Sequence, residues 1–245
     1  MRNENNKNAV DGRDTEMRIK NSIAKQPETV KKLKNKFNIK GELENTGGGG
    51  FYGGKADVRI NFTCGHYVDV SVKGFKNNAG FNQLARTSVS KFCTEFGIEN
   101  EDKKEIEDMV VAKSKNTKNP LFPEDMREKW KRFFEQNAKK ILKWGFTKNP
   151  SREIFVLYNR DTSVVRIYAM KDILKRLSVF VAFTKGGLNI GDCVSLQRKG
   201  GNGVLKANRI LKTSIKHPGN NIQLKIKINK FIELMDTIKL AEYKI

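Results

Sequence analysis

The sequence has few of the residues that staple small secreted domains or bind transition metals. Its three cysteines, Cys64, Cys93 and Cys193, form no C-x-x-C pair, and its two histidines, His66 and His217, are isolated. These counts argue against a disulfide framework, and they give no support for a zinc site or a His-based triad. We interpret the cysteines as reduced, partly buried thiols of a cytosolic protein.

Long apolar segments are missing as well. No stretch approaches the roughly 18 apolar residues of a membrane-spanning helix, and no long helix has a large bare apolar face. The N-terminal residues MRNENNKNAVDGRD lack the hydrophobic centre of a signal peptide. We therefore expect a cytoplasmic protein that associates with no membrane.

Acidic residues are outnumbered by basic ones. The chain contains 48 Lys and Arg against 27 Asp and Glu, a formal net charge of +21. Such an excess favours a polyanionic partner, and nucleic acid is the leading candidate. With 245 residues, of which 38% are hydrophobic, the chain can bury one substantial core, or one core with an attached lobe.

The order of predicted elements indicates a mixed α/β sandwich. A helix begins near Asp11 or Asp14, either of which fits an N-cap, and the run ENTGGGGFYGG predicts an irregular surface loop. Two strands with period-two alternation follow, and apolar residues at helical spacing predict a helix in GFNQLARTSVSKFCTEFGI. Glu101 to Lys113 predicts a charged helix, KSKNTKNPLFP a loop, and Glu124 to Trp144 a long amphipathic helix. The second half is rich in strands before a terminal helix, KFIELMDTIKL. Its expected strands are REIFVLYN, SVVRIYA, VFVAF, DCVSLQRK, GVLKANRIL and NIQLKIKI.

A β-hairpin formed by KADVRINF and VDVSVKGF is the first candidate for a functional site. The alternation puts valine, isoleucine and phenylalanine on one face and polar residues, including Asp57, Ser71 and Lys73, on the other. If the turn centres on Gly65, Asp57 lies directly opposite Lys73, and Ser71 is a diagonal neighbour. We expect these three side chains to form one polar cluster.

A carboxylate, a second oxygen ligand and a lysine at one sheet edge suit a magnesium-dependent phosphodiesterase. The carboxylate can bind a hard cation, and the lysine can orient water or neutralise charge on the phosphate. The pattern D, a variable gap, then (E/D/x)xK also fits a simpler explanation. An exposed Asp–Lys cross-strand pair would contribute at most about 1 kcal/mol to stability.

Four stretches in order resemble one enzyme family. GKADVRINF and VDVSVKGFKNNAGFNQLAR are similar to the catalytic segment of PD-(D/E)xK Type II restriction endonucleases, in particular the MspI-like group of small four-base cutters. DGRDTEMRIKNSI resembles that group's first helix, and SLQRKGGNG with NNIQLKIKI resembles its QRKGGD loop and closing strand. The middle of the chain, about residues 100 to 190, matches only in general character.

The resemblance implies an α+β fold with a mixed central sheet flanked by helices and a β-rich DNA-recognition lobe. It implies a catalytic core with the N-terminal helix in residues 1–120, and a helical linker with the recognition region in residues 121–245, packed as one compact unit. It also implies Mg²⁺ as cofactor and Glu16, on the first helix, as a residue that faces the site.

Ser71 departs from the family pattern, which usually has Glu there, and a hydroxyl is a poorer Mg²⁺ ligand. Metal binding is therefore expected to rest on Asp57, the backbone carbonyl of Val72 and waters, with Glu16 or Asp69 helping through a water.

The QRKGGNG loop is physically suited to reading DNA bases. Arg198 and Lys199 can donate to guanine, and Gln197 and Asn202 can pair with adenine or bridge neighbouring bases. A basic turn that contacts only phosphates is the alternative. Asn202 replaces the acid of the QRKGGD pattern, so the target sequence is expected to differ from those of relatives. The further expected DNA-binding residues are Asn82, Gln83, Asn208, Gln223, Lys225 and Lys227.

Two of these expectations carry alternatives. Asn82 and Gln83 are predicted to open a helix, where they contact DNA or merely cap the helix. Lys225 and Lys227 are predicted to hold phosphate rather than to read bases.

These observations together predict a Mg²⁺-dependent Type II restriction endonuclease. It would cut double-stranded DNA at a short palindrome, leave 5′-phosphates, act as a monomer or homodimer, and have a companion DNA methyltransferase. The alternatives are a DNA-binding protein without catalysis, favoured if Ser71 marks a decayed site, and a structure-specific repair or junction nuclease of the same superfamily.

Overall fold

A computed structural model of the chain describes residues 7–48, 56–201 and 209–245. The bounds of its helices and strands follow in chain order. The helices are α1 (Lys7–Ile23), α2 (Pro27–Phe37), α3 (Val89–Phe96), α4 (Asn100–Lys115), α5 (Arg127–Phe146), α6 (Met170–Arg176) and α7 (Ile228–Met235). The strands are β1 (Leu43–Gly48), β2 (Val58–Phe62), β3 (Tyr67–Phe75), β4 (Phe81–Thr87), β5 (Glu153–Asn159), β6 (Val164–Ala169), β7 (Val181–Thr184), β8 (Gly187–Ile190), β9 (Val194–Arg198), β10 (Ile222–Lys227) and β11 (Lys239–Lys244).

The chain divides into two compact units, each built from separate stretches of sequence. The first contains Met1–Gly80, Thr147–Arg176 and Ile232–Ile245, and the second contains Phe81–Phe146 and Leu177–Phe231. This division differs from the expected boundary at residue 120. The physical reason is that β3 and β5 are parallel neighbours in one sheet, so the chain between them must be a long crossover, and that crossover contains α3 to α5.

The first unit is organised around a mixed sheet of six strands in the order β1-β2-β3-β5-β6-β11. The pair β3–β5 is parallel and the other pairs are antiparallel. Helices flank the sheet, because α1 and α2 share one core with β2, β3, β5 and β6, while α6 contacts β5 and β6. This core includes Ile19, Leu33, Val70, Ile154 and Ile167, none of which is more than marginally exposed.

The second unit contains an antiparallel sheet of five strands in the order β4-β10-β9-β8-β7. Helix α5 packs against it so closely that a β-carbon on Gly145 would lie 2.2 Å from the Leu224 side chain. Aromatic rings also pack in the core of this unit, where Phe122 contacts Phe134 and Phe183. Within the described residues, no helix is long and apolar enough to span a membrane.

Several predicted elements are confirmed. The charged segment from Glu101 is helix α4, and the long amphipathic segment forms α5 after a short 3-10 turn, with Trp130, Phe134 and Ile141 buried. The strands REIFVLYN and SVVRIYA pair as the antiparallel β5 and β6. The resulting class, mixed α+β with a mixed sheet flanked by helices, is the one expected.

The segment from Phe81 to Thr87 is a strand and not the predicted start of a helix. The spacing of Phe81, Leu84 and Ala85 fits a helix, but β10 offers a ladder of backbone partners, and β4 pairs with it apart from a bulge at Leu84. The helix starts later, where the Ser88 hydroxyl accepts from the Lys91 N–H at 3.3 Å as its N-cap.

Corrections also apply to the chain ends and the glycine-rich run. Helix α1 starts at Lys7, so Asp11 and Asp14 lie inside it and are not N-caps. The first residues of the glycine-rich run belong to strand β1, in which Gly47 and Gly48 pair with β2, while residues 49–54 of that run lie outside the described residues. The terminal helix ends at Met235, and the chain returns as β11 beside β6.

Two strand predictions in the second unit also need correction. Strand β8, Gly187–Ile190, was not predicted from the sequence. The expected strand GVLKANRIL lies mostly outside the described residues, and residues 209–211 of it are not in a strand.

Candidate functional site

The β2–β3 hairpin places Asp57 at the edge of the first sheet. Its loop is Thr63–Cys64–Gly65, closed by the Phe62 N–H donating to the His66 carbonyl at 2.9 Å. Gly65, at φ +74°, takes the left-handed conformation that three-residue hairpin loops need at this position. The loop therefore centres one residue before Gly65.

The register differs from the expected one by two residues. Arg59 pairs with Asp69 and Val58 with Val70, and the Asp57 N–H also donates to the Val70 carbonyl, so Asp57 does not lie opposite Lys73. The faces are as predicted, because a shift of two residues preserves the alternation. Val58 and Val70 are buried, while Lys73 lies on the opposite face of β3 from Val70 and is half-buried.

The Asp57 carboxylate is fixed by the backbone of β3. The Asp57 N–H donates to the Val70 carbonyl at 2.8 Å, and its Oδ2 accepts from the Val72 N–H at 2.6 Å. In a strand, the N–H and C=O of one residue point to the same side, so the Val72 carbonyl also faces this edge. Burial raises the pKa of Asp57, whereas Lys73 and the Val72 N–H lower it.

Helix α1 brings a second carboxylate to the same place. Thr15 and Ile19 are buried and the helix contacts β3, which leaves the neighbouring Glu16 half-buried. Burial raises the pKa of Glu16, and the negative charge of Asp57 raises it further, against the opposing effect of Lys73. Glu16, Asp57 and Lys73 are thus close enough to act on one another, and we call them the carboxylate–lysine cluster.

Ser71 and Asp69 have other surroundings. Ser71 is only 4% exposed, next to Phe155 in the parallel register, and carries a hydroxyl where a carboxylate was expected in the family pattern. Asp69 is held by Arg59, whose Nε and Nη2 donate to its two oxygens at 2.8 and 3.3 Å. The Arg59 guanidinium also lies 4.0 Å from the centre of the Tyr67 ring. Asp69 is therefore engaged in a structural ion pair.

The donors of the carboxylate–lysine cluster fit a hard divalent cation. Two carboxylates and a backbone carbonyl offer oxygen only, and Mg²⁺ binds through one or two carboxylates while keeping several waters. Both carboxylates are disfavoured as anions by burial, and a cation would relieve this. In the described parts of the chain, no group of three or more His, Cys, Asp or Glu could hold a metal.

The predicted DNA-binding residues that the structure describes lie in the second unit, while Asn202 and Asn208 lie outside the described residues. Gln197 and Arg198 end β9 and Lys199 follows it. Gln223, Lys225 and Lys227 alternate along β10 with the buried Ile222, Leu224 and Ile226. Asn82 and Gln83 are on β4, which pairs with β10, and so do not open a helix.

The register separates these residues between two faces. Gln197 pairs with Gln223, and Lys225 with Gln83, which puts these four on one face of the sheet. Arg198 pairs with Ile222 on the apolar face, and its Nε donates to the Asn220 side chain at 2.6 Å. Asn82 pairs with Ile226 and shares that second face.

Arg86 is a candidate that sequence reasoning missed. It is exposed on β4 and pairs with Gln223, so it lies in one cross-strand row with Gln223 and Gln197. Burial lowers the pKa of Lys199, and the charges of Arg86 and Arg198 lower it further. The assignment of residues 81–87 to a helix hid this row, since only a strand register reveals it.

Comparison with known proteins gives a structural likeness. No family model and no curated protein matches the chain. Among solved structures, the chain is similar to the crystal structure of restriction endonuclease MspI in complex with its cognate DNA. The two share 12% of their residues with a TM-score of 0.44, over 80% of this chain and 76% of that one.

Proposed function

We propose that the protein is a Mg²⁺-dependent endonuclease that hydrolyses phosphodiester bonds of double-stranded DNA. The observation that carries this proposal is the carboxylate–lysine cluster, in which two partly desolvated carboxylates and a lysine act on one another at a sheet edge. Groups whose charges are disfavoured by burial and by like neighbours are typical of reactive sites. The net charge of +21 supports a polyanionic substrate.

In this proposal, Asp57 and the Val72 carbonyl hold the metal, and Glu16 contributes through a water. A bound Mg²⁺ would polarise the phosphate and make a bound water more acidic. The hydrogen bond from the Val72 N–H fixes the Asp57 carboxylate, so its other oxygen can point to the cation. Lys73 Nζ donates a hydrogen bond to the attacking water or to a phosphate oxygen, where it offsets developing negative charge. Attack on phosphorus breaks the bond to O3′ and leaves a 5′-phosphate.

The finer proposal is a Type II restriction enzyme that cuts at a short palindrome. It is supported by the ordered resemblance of four stretches to the MspI-like group, and it implies a companion methyltransferase. It also implies a cytoplasmic enzyme that acts as a monomer or homodimer. Ser71 favours one rival: a buried hydroxyl in place of the usual acid fits a DNA-binding protein that has lost catalysis.

Digestion of a sequenced genome, with mapping of the fragment ends, tests activity, target and stagger together. We expect discrete ends with Mg²⁺, none with EDTA, and 5′-phosphates that DNA ligase can join directly. Cleavage only at branched substrates would instead indicate a structure-specific nuclease. Binding without any cleavage would contradict the catalytic proposal.

Alanine substitutions of Asp57 and Lys73 test whether the carboxylate–lysine cluster is the site of cleavage. Asp57→Ala should lower the cleavage rate by about 10³-fold or more, and Lys73→Ala by about 10² to 10³-fold. Binding in Ca²⁺ should be largely kept by both. Lys31→Ala, on the exposed side of α2, removes the same charge as Lys73→Ala and is the matched control. Equal losses in Lys31→Ala and Lys73→Ala would remove Lys73 from the site.

A further inference from the structure

One face of the five-stranded sheet carries consecutive polar rows. The first row runs Arg86–Gln223–Gln197 across β4, β10 and β9. The second runs Gln83–Lys225–Ser195 across the same strands. Because the rows are neighbours along the strands and their side chains point to one side, we call these six residues the polar sheet face.

Unusual burial distinguishes this face from an ordinary solvated surface. Antiparallel sheets commonly expose one polar face to water, which is the simplest explanation of such rows. Here Gln223 is only 3% exposed and Ser195 only 7%, and the Ser195 Oγ has no hydrogen-bond partner among the described residues. Buried polar groups normally have partners. The Ser195 hydroxyl is thus a buried, unpaired polar group beneath the glutamines of this face.

The charges on this face are of one sign. The rows contain Arg86 and Lys225 but no acidic residue. Burial lowers the pKa of Lys225, and the nearby charge of Lys199 lowers it further. Lys225 also lies 5.8 Å from the centre of the Phe81 ring, at the exposed end of β4. Cations that repel one another instead of pairing with carboxylates form a site for an anionic ligand.

Amide and guanidinium groups together match the edges of base pairs. A glutamine amide offers a donor and an acceptor side by side, which suits adenine N6 and N7. The arginine fork suits guanine O6 and N7, and β-strands can serve as readers of a DNA groove. Arg198 lacks this placement, since it lies on the apolar face and donates to Asn220.

We infer that Arg86, and not Arg198, is the residue that contacts a guanine of the target, with Gln197 reading in the same row. The buried Gln223 lies between them and supports the row, since its Nε2 donates to the Lys199 carbonyl at 3.4 Å. This inference rests on the part of the proposed function that makes double-stranded DNA the substrate, and it does not need cleavage. Arg198 then has a positioning role, in which it holds the chain near Asn220 in place behind the reading face.

A binding selection without cleavage tests this inference. A library of duplexes with ten random base pairs is bound to the full-length protein in Ca²⁺, and the bound fraction is sequenced. Wild type should enrich a motif that contains guanine. Arg86→Gln should lower the preference for one guanine in each half-site by roughly 10- to 100-fold. Arg86→Lys, which keeps the charge, should retain part of the preference.

Two controls accompany the selection. Arg198→Gln should enrich the wild-type motif, although its affinity can fall. Arg132→Gln should match wild type in motif and affinity, because Arg132 is exposed on α5 and pairs with Glu128. Circular dichroism and thermal melting confirm that each variant is folded.

Each outcome decides the inference. It is overturned if wild type enriches no sequence or a motif without guanine, if Arg198→Gln relaxes the guanine and Arg86→Gln does not, or if Arg86→Gln weakens all sequences equally. In the last case Arg86 contacts phosphate only. If wild type selects the motif but never cleaves it, the catalytic proposal fails and the reading inference stands.

Discussion

Two regions of the molecule can be compared: the carboxylate–lysine cluster of the first unit and the polar sheet face of the second. The first carries two carboxylates and the second carries cations, but in both regions the surroundings disfavour the charged form of an ionisable side chain. In the cluster, burial and a like neighbour raise the pKa of Glu16. On the sheet face, burial and the charge of Lys199 lower the pKa of Lys225, and burial and like charges also lower the pKa of Lys199, which follows β9. In the protein without metal or DNA, each region therefore contains charges whose neutral form is favoured by the surroundings. The cluster is suited to binding a cation and the sheet face to binding a polyanion.

The two regions are also built differently. The cluster depends on a few backbone positions, namely the hydrogen bonds of Asp57 to Val70 and Val72 and the approach of α1 to β3. The sheet face depends on a regular register repeated over three strands. A single substitution can abolish the activity of such a cluster. A substitution in a row of base-contacting residues should instead lower the preference for one base at a time. In the proposed enzyme, catalysis and reading would belong to separate compact units.

Core truncations test whether the two units are separate in stability. Phe134→Ala in the second unit should lower the free energy of unfolding by about 3 to 5 kcal/mol, and Leu33→Ala in the first by about 2 to 5 kcal/mol. Both side chains are fully buried. Both tryptophans, Trp130 and Trp144, belong to the second unit, so fluorescence in urea reports that unit, while circular dichroism reports both.

The fluorescence midpoint should respond more to Phe134→Ala than to Leu33→Ala. Coincident shifts of both signals in both variants would show that the chain unfolds as one cooperative unit. In that case the two units would not differ in stability. Lys31→Ala, at an exposed position, should change the free energy of unfolding by less than about 0.5 kcal/mol.

Local sequence patterns predicted much of the first unit. The alternation in KADVRINF and VDVSVKGF correctly placed Val58, Val70 and Lys73 on their faces, because a face depends only on parity. The pairing partner depends on loop geometry. The expected register assumed a loop centred on Gly65, but Gly65 is the last residue of a three-residue loop that is centred on Cys64. The expected pairing of Asp57 with Lys73 was wrong for that reason.

The second unit was less predictable because its sheet joins distant segments. Phe81, Leu84 and Ala85 have helical spacing, and only β10, more than a hundred residues later in the chain, makes that segment a strand. The row that contains Arg86 could not be derived without this pairing. The roles assigned to Asp57, Lys73 and the reading residues stay predictions, to be tested as described.

Neutralising Asp57 of the cluster or Lys199 beside the polar sheet face should raise the thermal stability of the protein without metal or DNA, with opposite dependence on pH. Asp57→Asn and Lys199→Gln should each raise the thermal midpoint at pH 7 in EDTA by roughly 1 to 3 °C. A carboxyl whose pKa is raised by folding destabilises the fold above that pKa, and this cost disappears as pH falls toward the unfolded value. An amine whose pKa is lowered shows the reverse, and its cost disappears as pH rises toward the unfolded value.

Scanning calorimetry across pH measures both effects. The advantage of Asp57→Asn should shrink in acid, and that of Lys199→Gln in alkali. Adding Ca²⁺ should raise the midpoint of wild type and of Lys199→Gln but not that of Asp57→Asn. If Ca²⁺ stabilises Asp57→Asn as much as wild type, the cation binds elsewhere and the contrast between the two regions fails.

The reactivity of the cysteine thiols should also differ between the two units. Cys64 is exposed in the β2–β3 loop, with its Sγ 3.4 Å from His66 Nδ1, and the His66 backbone N–H together with its ring lowers the pKa of this thiol to about 7. Burial raises the pKa of Cys93 to about 11 and that of Cys193 to about 12.

We expect one equivalent of Ellman's reagent to react quickly at pH 7, with a rate that is half-maximal near pH 7 and is lost in Cys64→Ser. His66→Ala should slow the reaction at pH 7 only about two- to fivefold, because the backbone N–H of residue 66 remains. Similar rates for all three thiols, or a midpoint near that of an ordinary cysteine, would show that the hairpin loop does not activate Cys64.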